Sequence, residues 1–345
     1  MSRLQMSSRD RVMFALRGEA VDRLPVLSVC QHATYSQMEE LNAFWPDAHR
    51  EAEKMAALAA GGCNILGFDA VRVPFCQTHE VEALGATVKY AGKEGVPSVA
   101  THPYKIGEEP EFPADFLERG RIPQLLQAVR ILKETVGDRV IIIGGIVGPY
   151  TIAANLVGIT DMLKASFKKP ESIIPYLDVA EKAGTMLAQA LVEAGADVIC
   201  VEDMMASLDL VSPKIFRQLA APYEKKQFAQ ISVPTIIHIC GKLDAIMLDI
   251  ANTGATAISV EAAVNVPAAL ESFKAAGMSV PLIGGVDPVK TLFSGTVDDV
   301  RMEVGKAVAD GFAMISPGCS VAPATEMENL MAMLKEVKAL FDGAD

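Results

Sequence analysis

The chain has 345 residues, half of them apolar, and a formal net charge of −12. An acidic chain without a long basic cluster argues against nucleic acid as a partner, because the phosphate backbone demands a positive patch. No apolar run approaches the roughly 18 residues of a membrane span, so none is expected.

The opening stretch, MSRLQMSSRDRVMFALRGEA, lacks an apolar segment followed by a small-residue cleavage site, and a cytoplasmic protein is expected. It reads as a helix capped by Ser8, with Val12, Met13, Phe14 and Leu16 as apolar positions. Two β-branched runs follow, LPVLSVC (24–30) and AVRVPFC (70–76). Residues 77–120 break the rhythm with Gly, Pro and alternation, and are expected to form an inserted hairpin and a cover over one barrel mouth.

Strand-like runs then recur at VIIIGGIVG (140–148), ADVICVED (196–203), PTIIHIC (234–240), AISVE (257–261), PLIGGVD (281–287) and AMISPGC (313–319). Helical patterns separate the later ones, and TEME (325–328) has the form of a capping box opening the last helix. Five helix-to-strand junctions carry Gly where a helix must stop: ALAAGGCNILGFD, LVEAGADVICVED, IANTGATAISVEA, FKAAGMSVPLIGG and AVADGFAMISPGC. Such repeated junctions imply a parallel sheet. Eight strands with interposed helices predict one (β/α)8 TIM barrel over residues 1–345, with an N-terminal helical extension. An open doubly wound sheet is the other arrangement, and no GxGxxG follows the first strand to support its dinucleotide-binding form.

In a strand, residues two apart share a face. His238 and Cys240 therefore project together at the end of the fifth run, Glu261 ends the sixth, and Cys319 ends the eighth. Barrel active sites form where strand C-termini gather. Imidazole with thiolates favours zinc. Three protein ligands leave a fourth position, for which Glu261 is the displaceable candidate. Two thiolates already neutralise the ion, so a substrate thiol bound as third thiolate stays nucleophilic, which suits alkyl transfer to sulfur better than hydrolysis.

Several other residues reach the same rim. Glu202 and Asp203 read as an acid–base pair, as a second layer behind His238, or as plain ion-pair partners. Asp287 reads as a helix cap or a substrate contact. Gly144 and Gly145 either let backbone approach a ligand or mark a tight turn. Met204 and Met205 read as core or as an adaptable apolar patch, and Gln31 and His32 follow the first strand toward the mouth. Cys30, Cys63, Cys76 and Cys200 read as core thiols, with Cys76 closing the second strand.

The segments RGEAVDRLPV, GFDAVRVPF, VPSV, GRIP, GGIVGPYT, VEAGADVICVED, HICGK, ISVE and PGCSVAPATEMENL run the length of the chain. Together they resemble the methylcobamide:coenzyme M methyltransferases of the uroporphyrinogen decarboxylase superfamily. The resemblance implies a zinc site at His238, Cys240 and Cys319, with Glu261 at the acidic position. It implies a methylated corrinoid, carried by a partner protein, as methyl donor, and a small-molecule thiol such as coenzyme M as acceptor. Homocysteine or tetrahydrofolate is the alternative acceptor. A sulfonate acceptor would want a cationic donor, for which Arg72 is the candidate, unless it is paired with Asp69, Glu202 or Asp203. Decarboxylases of the same superfamily resemble one another in an Arg-rich segment after the first strand; here that stretch is VLSVCQHATYSQM, without Arg. A catalytically idle barrel would show a degraded triad, and the triad is intact.

Overall fold

A strand covered by helices outside and side chains inside must be apolar on both faces, and the β-branched runs meet that demand. The computed structural model describes residues 5–342. Among them the strands are β1 (Ala70–Val73), β2 (Val88–Lys89), β3 (Ser98–Val99), β4 (Ile141–Val147), β5 (Val198–Glu202), β6 (Thr235–His238), β7 (Ala257–Val260), β8 (Leu282–Val286) and β9 (Met314–Pro317). All except β2 and β3 form one parallel sheet in the order β1-β4-β5-β6-β7-β8-β9.

The run at 24–30 makes only one bridge, Val26 to Ile315, yet its backbone closes the ring. Leu27 N–H donates to the Ile315 carbonyl at 3.0 Å, Ile315 N–H to Pro25 at 2.9 Å, and Asp69 N–H to Val26 at 2.7 Å. This short stave lies between β9 and β1, and the expected TIM barrel is the architecture observed.

Two apolar layers result. The larger packs the strands against the outer helices. The smaller fills the barrel, where Val12, Ala15 and Leu16 of the helix Ser8–Leu16 pack with strand residues such as Ile141, Val198 and Ile236. The N-terminal helix therefore plugs the barrel at the starts of its strands. Its cap is Ser7, whose Oγ accepts from Asp10 N–H at 3.1 Å, and not Ser8. Ser8 instead donates to Asp69 at 2.7 Å. Fully buried Asp69 also accepts from Arg11 at 2.8 Å, Arg23 at 2.7 Å and Val26 N–H at 2.9 Å.

The helix-ending glycines are seen at Gly195 and Gly311, both in the left-handed region. The first junction differs, because the helix Ala52–Asn64 runs through Gly61 and Gly62. The capping box expected at Thr325 does not form: the last helix begins at Met327, and the buried Thr325 hydroxyl has no partner among the described residues. Asn329 pins that helix instead, donating to the Leu292 and Gly295 carbonyls at 3.0 Å. The insert forms the expected hairpin, β2 antiparallel to β3. At the other end of the barrel, parallel register sets Glu202, His238 and Ser259 side by side across β5, β6 and β7.

Candidate active site

His238 ends β6 with no exposed surface. Its Nδ1 lies 3.0 Å from Oγ of Ser259, its register neighbour on β7. Nε2 is buried and has no partner among the described residues. A buried polar atom without a partner is costly, and one whose sister nitrogen is tied down is oriented as a metal ligand would be.

Cys240 lies just beyond β6 and Cys319 just beyond β9, both half-buried. One ligand atom from each of His238, Cys240 and Cys319 falls within 4.8 Å of the others. Gly318 lets the β9 tip pass flush against the β7 tip, since a Cβ there would stand 3.0 Å from Glu261 Cα. The neighbouring Cys240 and Cys30 thiols, then His238, hold Cys319 far below the ordinary thiol range. The hydrogen bond to Cys319, then burial, push Cys240 upward. Two sulfurs and an imidazole nitrogen are a donor set that fits zinc. Glu261, one residue past β7, is not in this group of three. Burial, with the Cys319 charge, raises its carboxyl pKa.

Beside the cluster the mouth opens into a cavity of about 570 Å³. Ser320, next to Cys319, lines it, as do Arg72, Gln77, Thr151, Met204 and Met205. The hairpin residues Gly95–Val99 form part of its wall, so the insert covers one side of the mouth.

Arg72 is both paired and facing the cavity. Its Nη2 bonds the carboxylate of buried Glu202, which also accepts from Gln77 Nε2. Arg72 Nε has no partner among the described residues. The other rim candidates sit elsewhere. A Cβ on Gly145 would strike the Arg72 guanidinium at 2.4 Å, so this glycine makes room for Arg72 and not for a ligand. Gly144 packs toward Ile199 and Leu191 in the outer layer. Asp203 caps the helix Pro149–Val157, accepting from Tyr150 N–H at 3.1 Å and Thr151 N–H at 2.7 Å. Asp287 caps Pro288–Phe293, accepting from Val289 and Lys290 N–H groups, each at 2.9 Å. Gln31 lines the cavity. His32 is buried, and burial with the Arg72 charge lowers its pKa to about 4.

Ser259 and Gln77 had no signal of their own in the sequence. Ser259 needed the register between two separate runs, and Gln77 lies at the start of the irregular insert.

The family model described as uroporphyrinogen decarboxylase (URO-D) matches residues 7–340. A methylcobamide:CoM methyltransferase of Methanosarcina barkeri is 39% identical over 96% of this chain and 97% of its own length. Another methylcobamide:CoM methyltransferase, from Methanosarcina acetivorans, is 36% identical over 97% of this chain and 98% of its own. A solved methyltransferase structure from Methanosarcina mazei superposes with a TM-score of 0.93 at 38% identity, covering 98% of this chain and 100% of that one.

Proposed function

The chain belongs to the uroporphyrinogen decarboxylase family and, within it, to the methylcobamide:CoM methyltransferases, and from that premise we propose that it transfers a methyl group from a methylated corrinoid to a small thiol held at a zinc site. The observation that carries the reading is the convergence of His238, Cys240 and Cys319 with His238 Nε2 left free. In this reading His238 offers Nε2 while Ser259 fixes its tautomer from behind. Cys240 and Cys319 offer their sulfurs and hold two negative charges at the mouth. When bound, zinc supplies the positive charge that keeps an entering thiol deprotonated at neutral pH. Glu261, beside the cluster, would hold the remaining position of the ion until a thiol enters.

The chain's remaining task is positioning. Arg72, anchored by Glu202 and lining the cavity, receives the anionic end of an acceptor such as coenzyme M. The apolar side chains of Met204 and Met205 face the arriving donor. The acceptor sulfur takes the methyl group, and the corrinoid, presented by its carrier protein, leaves with the electron pair of the carbon–cobalt bond.

The test pairs zinc analysis with the spectral loss of methylcobalamin in the presence of coenzyme M, for wild type and Cys240→Ala. About one zinc per chain is expected, with turnover that disappears in the variant together with the metal. Zinc without turnover would move the acceptor to homocysteine or tetrahydrofolate. Protein that never retains zinc would overturn the site.

A further inference from the structure

The cavity wall carries a thiol that the methyl-transfer reading does not use. Cys76 follows β1 past Phe75, is 4% exposed and lines the cavity wall. Three buried polar groups converge on it. Arg121 Nη1 lies 3.3 Å from Sγ, Thr78 Oγ1 3.5 Å and His79 Nδ1 3.7 Å. Arg121 can only donate. Thr78 Oγ1 already accepts from Arg121 Nη2 at 2.6 Å, which leaves its own proton for the sulfur. His79 with a proton on Nδ1 completes the set, and its Nε2 has no partner among the described residues. Every partner can thus donate to Sγ, an arrangement made for a thiolate.

Glu82, at 2.7 Å, holds Arg121 in place. Glu80, His49 and Tyr90 are the other ionisable groups nearby. Burial alone would push the Cys76 thiol up, and His79 and Arg121 outweigh it, bringing the pKa down to about 6. A further unpartnered polar group belongs to the wall of the same cavity. Trp45 lines it, is 1% exposed, and its indole N–H has no partner among the described residues.

We propose that Cys76 is a covalent modification site at which the disulfide form of the small thiol substrate is captured. The Cys76 thiolate attacks one sulfur of R–S–S–R. The new bond joins Cys76 Sγ to that sulfur, the old S–S bond breaks, and R–S⁻ leaves with its electron pair. The adduct fills the cavity beside the metal cluster, so an oxidised thiol pool shuts the mouth and a reductant reopens it. The identity of R rests on the function proposed above; the nucleophilicity of Cys76 does not.

The experiment treats zinc-loaded, reduced protein with coenzyme M disulfide, then maps adducts by mass after tryptic digestion and measures retained zinc. In parallel, dithiodipyridine, which needs no specific recognition, reports the rate at Cys76 against pH. The expected results are a reductant-reversible adduct on the Cys76 peptide with zinc retained, its absence in Cys76→Ser, and a rate nearly flat from about pH 6.5 to 8. An ordinary thiol, by contrast, slows about tenfold for each pH unit below its pKa. Arg121→Gln should restore that ordinary dependence. Adducts only on Cys63, Cys240 or Cys319, or a Cys76 rate with the ordinary slope, would overturn the inference. Reduced enzyme that transfers methyl groups yet resists the disulfide overturns this inference alone. Enzyme that takes the disulfide at Cys76 without methyl transfer to coenzyme M upholds it and removes the activity reading.

Discussion

Ser259 shows how much one hydroxyl can decide. It does not line the cavity, yet it is the partner of His238 Nδ1. Removing such a partner behind a metal-binding imidazole typically weakens metal affinity by about 10–100-fold. Ser259→Ala is therefore expected to bind zinc that much more weakly in a competition titration with a chelator, while its far-UV circular dichroism stays that of the wild type. Ser259→Thr, which keeps the hydroxyl, should recover most of the affinity. Unchanged affinity in the alanine variant would show that His238 is oriented by packing alone. Arg72 makes the complementary point. It is held by Glu202 and sits where Gly145 leaves it space, so the pair is a fixed feature of the wall.

At the scale of elements, the N-terminal helix closes the barrel through charges as well as apolar contacts. Breaking a buried pair by removing one partner costs about 3–5 kcal/mol. Asp69→Ala, which takes from Arg23 its carboxylate partner and leaves Arg11 with Asp22 alone, is expected to lower urea-unfolding stability by that order, with the His238, Cys240 and Cys319 cluster at the far end intact. Asp22 adds a pH dependence. Burial would raise its carboxyl pKa, but the hydrogen bond from Arg11 and the Met6 and Arg23 N–H groups hold it at about 2, below the ordinary 3.8. A depressed folded-state pKa contributes stability that is present above the ordinary value and lost as pH falls toward the folded one. Stability should thus decline between about pH 4 and pH 2, and less steeply in Asp22→Asn, as followed by urea titrations at each pH. The same elements show what the sequence could reveal. The strands were legible because fully buried β-branched runs have few other uses, and His238, Cys240 and Cys319 because strand ends place them at one mouth. The caps at Ser7, Asp203 and Asp287 were hard to assign because a capping side chain and a functional one look alike until the helix start is located. The fates of Gly144 and Gly145 depended on which neighbours they face, and this is a property of the packed layers.

For the whole molecule, the barrel divides labour between its ends. The N-terminal plug and the Asp69 cluster hold the starts of the strands, while His238, Cys240 and Cys319 come together from the tips of β6 and β9, which are separated in the sheet by β7 and β8. A metal at that point would span the mouth and tie the loops that follow β6 and β9. Binding to the folded state alone stabilises it by RT ln(1 + [L]/Kd), about 4 kcal/mol when the free ion exceeds Kd a thousandfold. Stripping zinc with a chelator is therefore expected to lower the melting temperature, and re-adding it to restore the original value. Hydrogen exchange should rise locally, over residues 239–243 and 318–322, while β1, β4 and the plug stay protected. Cys319→Ala should behave as the stripped protein whether or not zinc is added. If stripping instead loosened the plug as much as the mouth, the two ends would be one cooperative unit, and the barrel would not separate the part that holds it closed from the part that carries the chemistry.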